Sequence, residues 1–259
     1  MTMSELFTQF PVLRLEKGFL AYKSGNYSVA LNEWEALAKD GNAIAEFSLG
    51  MMYFRGQGVK KNYKVAAGWY ALAANKGNEF GQYNLGWMYD AGVGVHRNYK
   101  IAANWYMLAA AQGHTDAQYN LGLFYKIGRG VPKNYKKAYE WYLLAARQGN
   151  ARAQHNLALM YQAGNGVLQD YDAAINWYTR SAKQGIKSAQ TNLGQMYFIG
   201  LGVNKNYICA YAWWKIAKLS GVKVVDNNLL IIEKKMTSRE IWKANKLATE
   251  FSNKISTEI

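Results

Sequence analysis

The stretch that decides the fold is residues 92–113, GVGVHRNYKIAANWYMLAAAQG. A glycine-rich turn running into a basic helix start admits two readings: a loop that grips phosphate, or punctuation in a scaffold. The rest of the chain chooses between them. Trp69, Trp105, Trp141, Trp177 and Trp213 are 36 residues apart each time, and so are Tyr63, Tyr99, Tyr135, Tyr171 and Tyr207. Cutting before each glycine gives five units with no insertion or deletion: 41–76, 77–112, 113–148, 149–184 and 185–220. Such spacing means one structural unit, copied. Gly92 and Gly94 recur as Gly56 and Gly58, Gly128 and Gly130, Gly164 and Gly166, and Gly200 and Gly202. A phosphate loop would end in G-K-[ST] and follow a strand, and G-x-G-V does neither, so the turn is punctuation.

Places within a unit are counted here from its opening glycine. In the first half, GNEFGQYNLGWMYDAG in the second copy, small or apolar residues recur at places 5, 9, 12 and 13. Offsets of three and four make the apolar face of a helix. The second half puts Tyr99, Ala102, Trp105, Tyr106, Ala109 and Ala110 at similar offsets, so each unit is a helix, a turn and a helix. Gly50, Gly86, Gly122 and Gly194 stand inside the first helix, with Ala158 in the fourth copy. Glycine there costs about 1 kcal/mol relative to alanine, so a place limited to the two smallest residues marks a close helix crossing.

One hairpin cannot bury its apolar faces alone, whereas five stacked in order share a core. The expected fold is all-α: a right-handed α-solenoid of five 36-residue repeats with helical caps at 1–40 and 221–259. Residues 221–235 keep Gly221, Asn228 and Leu229 in register as one more first helix. Thr237-Ser238-Arg239-Glu240 then spells a capping box for a last helix carrying Ile241, Trp242, Leu247 and Phe251. Upstream, residues 16–41 read as a shortened hairpin turning at Gly25-Asn26.

The repeated pattern A-x-x-x-L-G-x-M-Y-x-x-G-x-G-V-x-x-x-Y-x-x-A-x-x-W-Y-x-x-A-A-x-x-G resembles the Sel1-like repeat, a relative of the tetratricopeptide repeat. The resemblance implies a non-enzymatic adaptor that gathers partner proteins, common in bacterial signalling, envelope processes and interactions with host cells. A cysteine-rich branch of that family is linked with β-lactam binding, and the single Cys209 departs from it. An envelope hydrolase or β-lactam binder is therefore a minor alternative. The chain also places Asn62, Asn98, Asn134 and Asn206 where the family tends to put acid before the second-helix tyrosine, and only Asp170 follows the habit.

Comparing the copies separates what packing demands from what varies. Place 7 runs Phe47, Tyr83, Tyr119, His155, Thr191; place 11 runs Met51, Trp87, Leu123, Leu159, Gln195; place 14 runs Phe54, Asp90, Lys126, Gln162, Phe198. By analogy with the tetratricopeptide architecture this face lines a concave groove, with Phe47, Phe54, Tyr83, Trp87 and Tyr119 as anchors for an extended partner segment and Leu123 and His155 beside them. Place 8 adds Asn84, Asn120, Asn156, Asn192 and Asn228. An asparagine amide can serve the backbone of a bound peptide or the neighbouring hairpin, and both readings stand. The aromatic stripe has the same structural alternative, packing between repeats.

The net charge of +14 asks for an anionic partner, unless it reflects an AT-rich composition. The repeats hold 20 Lys and Arg against 7 Asp and Glu. Lys60, Lys61, Lys64, Arg97, Lys100, Lys133, Lys136 and Lys137 form a basic edge around the turn and the start of the second helix. Cations at a helix N-terminus oppose the macrodipole, each by about 0.3–1 kcal/mol, so local stability does not account for them. The expected partner is an acidic protein or one with an extended segment. Nucleic acid and an anionic membrane surface are the alternatives.

Catalysis has little to rest on. His96, His114 and His155 lie in three different units with no HExxH spacing, and no GxSxG elbow is present. No cofactor or metal is expected. Cys209 reads as a small buried hydrophobe. No run of 18 apolar residues suggests a transmembrane helix, and the first residues do not read as a signal peptide. The expected compartment is the cytoplasm as numbered, or the periplasm or exterior if a signal was removed or another export route serves.

Overall fold

A computed structural model describes residues 11–257, all of whose regular elements are helices. In chain order they are α1 (Pro11–Lys23), α2 (Tyr27–Lys39), α3 (Ala43–Arg55), α4 (Tyr63–Asn75), α5 (Glu79–Ala91), α6 (Tyr99–Ala111) and α7 (Thr115–Ile127). They continue as α8 (Tyr135–Arg147), α9 (Ala151–Ala163), α10 (Tyr171–Lys183), α11 (Lys187–Ile199), α12 (Tyr207–Leu219), α13 (Val225–Glu233) and α14 (Ser238–Thr257). The chain forms two compact units, one ending at Lys133 and the other beginning at Asn134, so α1–α7 belong to the first and α8–α14 to the second.

The first helix of a repeat buries places 5, 9 and 12 in a core shared with the preceding second helix, as Ala45, Leu49 and Met52 do with Ala30, Trp34 and Leu37, and as Leu85 and Met88 do with Ala66, Tyr70 and Ala74. Place 10 is where the helices come closest. A Cβ built on Gly50 would lie 2.6 Å from the Tyr70 ring, and one on Gly194 would lie 2.5 Å from Trp214. The flat ring lies where a side chain would stand, which is the close crossing that the small residues imply.

The buried amides at place 6 were not anticipated. Gln82 is almost fully buried, yet its Nε2 donates to the Ala74 carbonyl at 3.2 Å and its Oε1 accepts from Gln112 Nε2 at 2.8 Å. One side chain thereby ties α5 to the C-terminal ends of α4 and α6, and adds a second donor to the Ala74 carbonyl, which also accepts from Gly77 N–H at 3.0 Å. Gln154 does the same in the second unit, accepting from Gln184 at 2.8 Å and donating to Ala146 at 3.2 Å. In the first repeat Glu46 and Lys76 replace the amide pair, at 2.5 Å, and Lys76 also donates to the Gly41 carbonyl at 2.9 Å.

The asparagines that stand before the second-helix tyrosines have a local purpose. Asn62, Asn98, Asn134 and Asn206 cap their helices, each Oδ1 accepting from the backbone N–H three residues on at 2.9–3.1 Å, as Asp170 does. Asparagine and aspartate are near-equal N-caps, so the exchange removes charge and keeps the cap. The turn before them uses its two glycines differently. Gly128, at φ +75°, is the left-handed cap of α7, and a Cβ there would be 3.2 Å from that of Lys133. Gly130, at φ +68°, faces the preceding repeat, and a Cβ would come within 2.1 Å of the Tyr99 carbonyl oxygen.

The ends vary the same theme. Gly18 of α1 lies against Trp34 of α2 as Gly50 lies against Tyr70. At the other end α13 keeps the register, burying Val225, Leu229 and Ile232, but place 10 holds Leu230, which stays 60% exposed. A leucine there bars the close crossing. The last helix, α14, packs instead on α12 and touches α10. Its start is capped by Thr237 and Glu240, whose backbone and side-chain groups exchange hydrogen bonds at 2.8 and 3.3 Å. Phe251 stacks on Trp213 at 4.7 Å between ring centroids, while Trp242, expected among its apolar residues, stands outward. Trp242 lies two residues from buried Ala244, more than half a helical turn round the axis.

Candidate partner-binding face

The face of a first helix that solvent reaches runs through places 4, 8, 11 and 15, a spacing of four, three and four that keeps one side of a helix, except that Ser48 at place 8 of the first repeat is fully buried. In the first unit it presents Ile44, Phe80 and Ile127 as exposed apolar side chains, with Met51, Asn84, Trp87, Asn120 and Leu123 half-buried between them. Places 7 and 14 are turned roughly a quarter of the way round, toward the second helix. Phe47 packs on Tyr70 at 5.7 Å, Tyr83 on Tyr106 at 5.9 Å, and Phe54 on Tyr63 at 5.2 Å. Phe54 also meets Trp87 of the next repeat edge-on at 5.7 Å. These half-buried aromatics thus tie the two helices of a hairpin together, Phe54 also reaching the next repeat, and Tyr119 is half-buried too. His155 and Asn156 occupy the equivalent places in the second unit. Places 4 and 15 were missed, although their variation, from Ile44 to Ser188 and from Arg55 to Ile199, is legible in the sequence.

The asparagines of place 8 spend their amides inside the chain. Asn84 Nδ2 donates to the Phe80 carbonyl at 2.8 Å and Asn156 Nδ2 to that of Arg152 at 3.1 Å. Asn192 Nδ2 reaches the Tyr178 hydroxyl of the preceding repeat at 3.2 Å. Burial drives the Tyr178 phenol far above its ordinary pKa, and the Asn192 contact works against that rise. Burial raises Tyr106 in the same way, with Asn120 opposing it.

His114 replaces asparagine as the N-cap of α7, its Nδ1 accepting from Ala117 N–H at 3.3 Å. The ring stacks on Tyr83 at 4.4 Å and meets the edge of Phe80 at 5.4 Å, beside a cleft of about 350 Å³ that Glu79 and Asp116 also line. Burial lowers the His114 pKa, and the nearby Glu79 and Asp116 carboxylates only partly offset it. A base depressed in the fold contributes stability that is complete above its unfolded pKa, about 6.5, and is lost as pH falls toward the folded value. Thermal melts should therefore drop more steeply from pH 7 to pH 5 in the parent than in His114→Asn, which keeps an acceptor that does not titrate. Parallel profiles would refute the role.

All eight cations of the basic edge are exposed. In the first unit Lys64 borders a cleft of about 530 Å³ with Gly94, Val95 and His96. Arg97 donates to the Ala91 carbonyl at 3.3 Å, and Lys61 lies 5.8 Å from the Tyr63 ring centroid. Lys61, Arg97 and Lys133 each lay their Cβ over the glycine cap of the preceding helix, so their stems pack while their charges face water. Lys136 and Lys137 start α8 in the second unit.

A family profile for the Sel1 repeat matches residues 43–78, 80–114, 115–150, 151–186 and 187–222. The chain belongs to the Sel1 repeat family. A Sel1 repeat protein from Oxalobacter formigenes is similar over 80% of this chain and 86% of its own, at 34% identity and a TM-score of 0.76. The protective antigen c5321 of uropathogenic Escherichia coli, which displays an SLR fold, is 29% identical over 96% of this chain and 70% of its own, with a TM-score of 0.47. Among curated proteins none matches. Sel1 repeats are helical repeats of the solenoid class that generally serve protein–protein interaction without catalysis. Among the described residues of this Sel1 chain no three His, Cys, Asp or Glu gather as metal ligands, and no helix is long and apolar enough to cross a membrane. Cys209 is half-buried rather than buried, and burial raises its thiol pKa.

Proposed function

We propose that this Sel1 repeat chain is a non-enzymatic adaptor that holds a partner polypeptide along the first-helix face of its opening repeats, with the basic edge receiving acidic residues of that partner. The observation that carries the reading is the exposure of Ile44, Phe80 and Ile127 on the first helices, Phe80 staying 48% exposed although it touches Phe47 and His114, with Trp87 half-buried against Phe54. Large apolar side chains grouped on one face favour a partner, because leaving them in water forgoes about 25 cal/mol for each Å². An extended segment fits this face better than a folded domain, since half-buried rings alternate with polar Asn84 and Asn120 along it.

The experiment is affinity capture of a native partner followed by quantitative binding of that partner to variants. Phe80→Ala with Trp87→Ala should weaken binding at least about thirtyfold, as two aromatic anchors do. Undiminished affinity would sink the reading. Charge reversal of Lys60, Lys61, Lys64, Arg97 and Lys100 should chiefly slow association and reduce its salt dependence. The exposure of those five cations in one unit also supports a second reading, nucleic acid along the basic edge, for which a gel shift over a salt series is decisive.

A further inference from the structure

The opposite surface of the hairpins, formed by second helices, carries its own occupant at one end of the chain. In the fifth repeat α14 lies on α12, and Ala212, Trp213 and Ile216, at places 28, 29 and 32, are 0%, 4% and 3% exposed. Leu247, Phe251 and Ile255 of α14 pack against them. The first and second repeats present the same places uncovered. Leu72 and Leu108 at place 32 are 47% and 49% exposed, Trp69 and Trp105 are half-buried, and Met107 is exposed beside them. The fold does not require an apolar residue at that place, because the fourth repeat puts Arg180 there, its guanidinium 4.8 Å above the Trp177 ring.

We infer that the second-helix face of α4 and α6 is a docking surface for one amphipathic partner helix with leucine or phenylalanine on its inner side and carboxylates on its flanks. The apolar half of that chemistry is read from α14, which fills the equivalent place on α12. The acidic half follows from charge complementarity: α4 and α6 carry Lys64 and Lys100 and not one carboxylate. Lys64 and Lys100 also belong to the basic edge, so the apolar contacts tell the two assignments apart: Leu72 and Leu108 belong to this surface, Phe80 and Trp87 to the first-helix face.

The probe is a fluorescein-labelled peptide of residues 238–257 carrying Lys243→Glu and Lys246→Glu, titrated with the full chain by anisotropy. Saturable binding is expected with Kd on the order of 10 µM. Leu72→Lys with Leu108→Lys should weaken it at least about tenfold, while circular dichroism stays that of the parent, since both residues are exposed. Phe80→Ala with Trp87→Ala should leave it unchanged. No saturation up to about 100 µM would overturn the proposal. So would binding unaffected by Leu72→Lys with Leu108→Lys, which would mean exchange with α14 on α12. Self-association abolished by Leu72→Lys with Leu108→Lys would give the face to a second copy and overturn it equally.

Discussion

Gly130→Ala is expected to destabilise the first unit by about 3 kcal/mol, more than any other single methyl added to the repeats. Two costs add. The residue sits at φ +68°, where an L side chain loses about 1–2 kcal/mol. The new Cβ would also meet the Tyr99 carbonyl oxygen at 2.1 Å, so the backbone of the preceding repeat must retreat. Gly128→Ala isolates the first cost, because its nearest neighbour is a side-chain carbon at 3.2 Å. Urea unfolding of both variants reads the difference directly. Equal losses would mean that the contact with the preceding repeat contributes nothing.

Trp34→Ala should cost about 3–5 kcal/mol, the range for truncating a large buried ring. Trp34 has no solvent-exposed surface and takes the place of the place-30 tyrosines of later repeats. Its indole lies flat against Gly18, where a Cβ would be 2.3 Å away, and it contacts Phe19 and Tyr22 at 5.4 and 5.5 Å between centroids. Because Gly18 offers no side chain to fall into the void, the cavity cannot collapse from that side. Loss of the opening hairpin exposes Leu49 and Met52 of the first repeat, which share its core. Hydrogen exchange should show protection falling first in α1–α3. An unchanged melting temperature would contradict the packing described.

How much was legible differs from element to element. The helices, their turns and the close crossing at place 10 follow from recurrence at three, four and 36 residues, since the period of a helix and of a copied unit are properties of one chain segment. The candidate face was half legible. Places 7, 8, 11 and 14 are mostly half-buried in every copy, with Ser48 fully buried, whereas place 4 is exposed in all five copies and place 15 in four. Variation among copies marks all six places alike, so it could not rank them.

The sequence by itself determined the repeat, its hairpin, its glycine punctuation and the excess of positive charge, because each is encoded in spacing or composition. Only the tertiary structure decided that the second glycine of each G-x-G meets the preceding repeat, that Gln82 joins three helices, and that α14 crosses back to α12. Those relations depend on the approach of one helix to another. Periodicity reports which residues share a side of a helix, and it carries no term for what stands opposite.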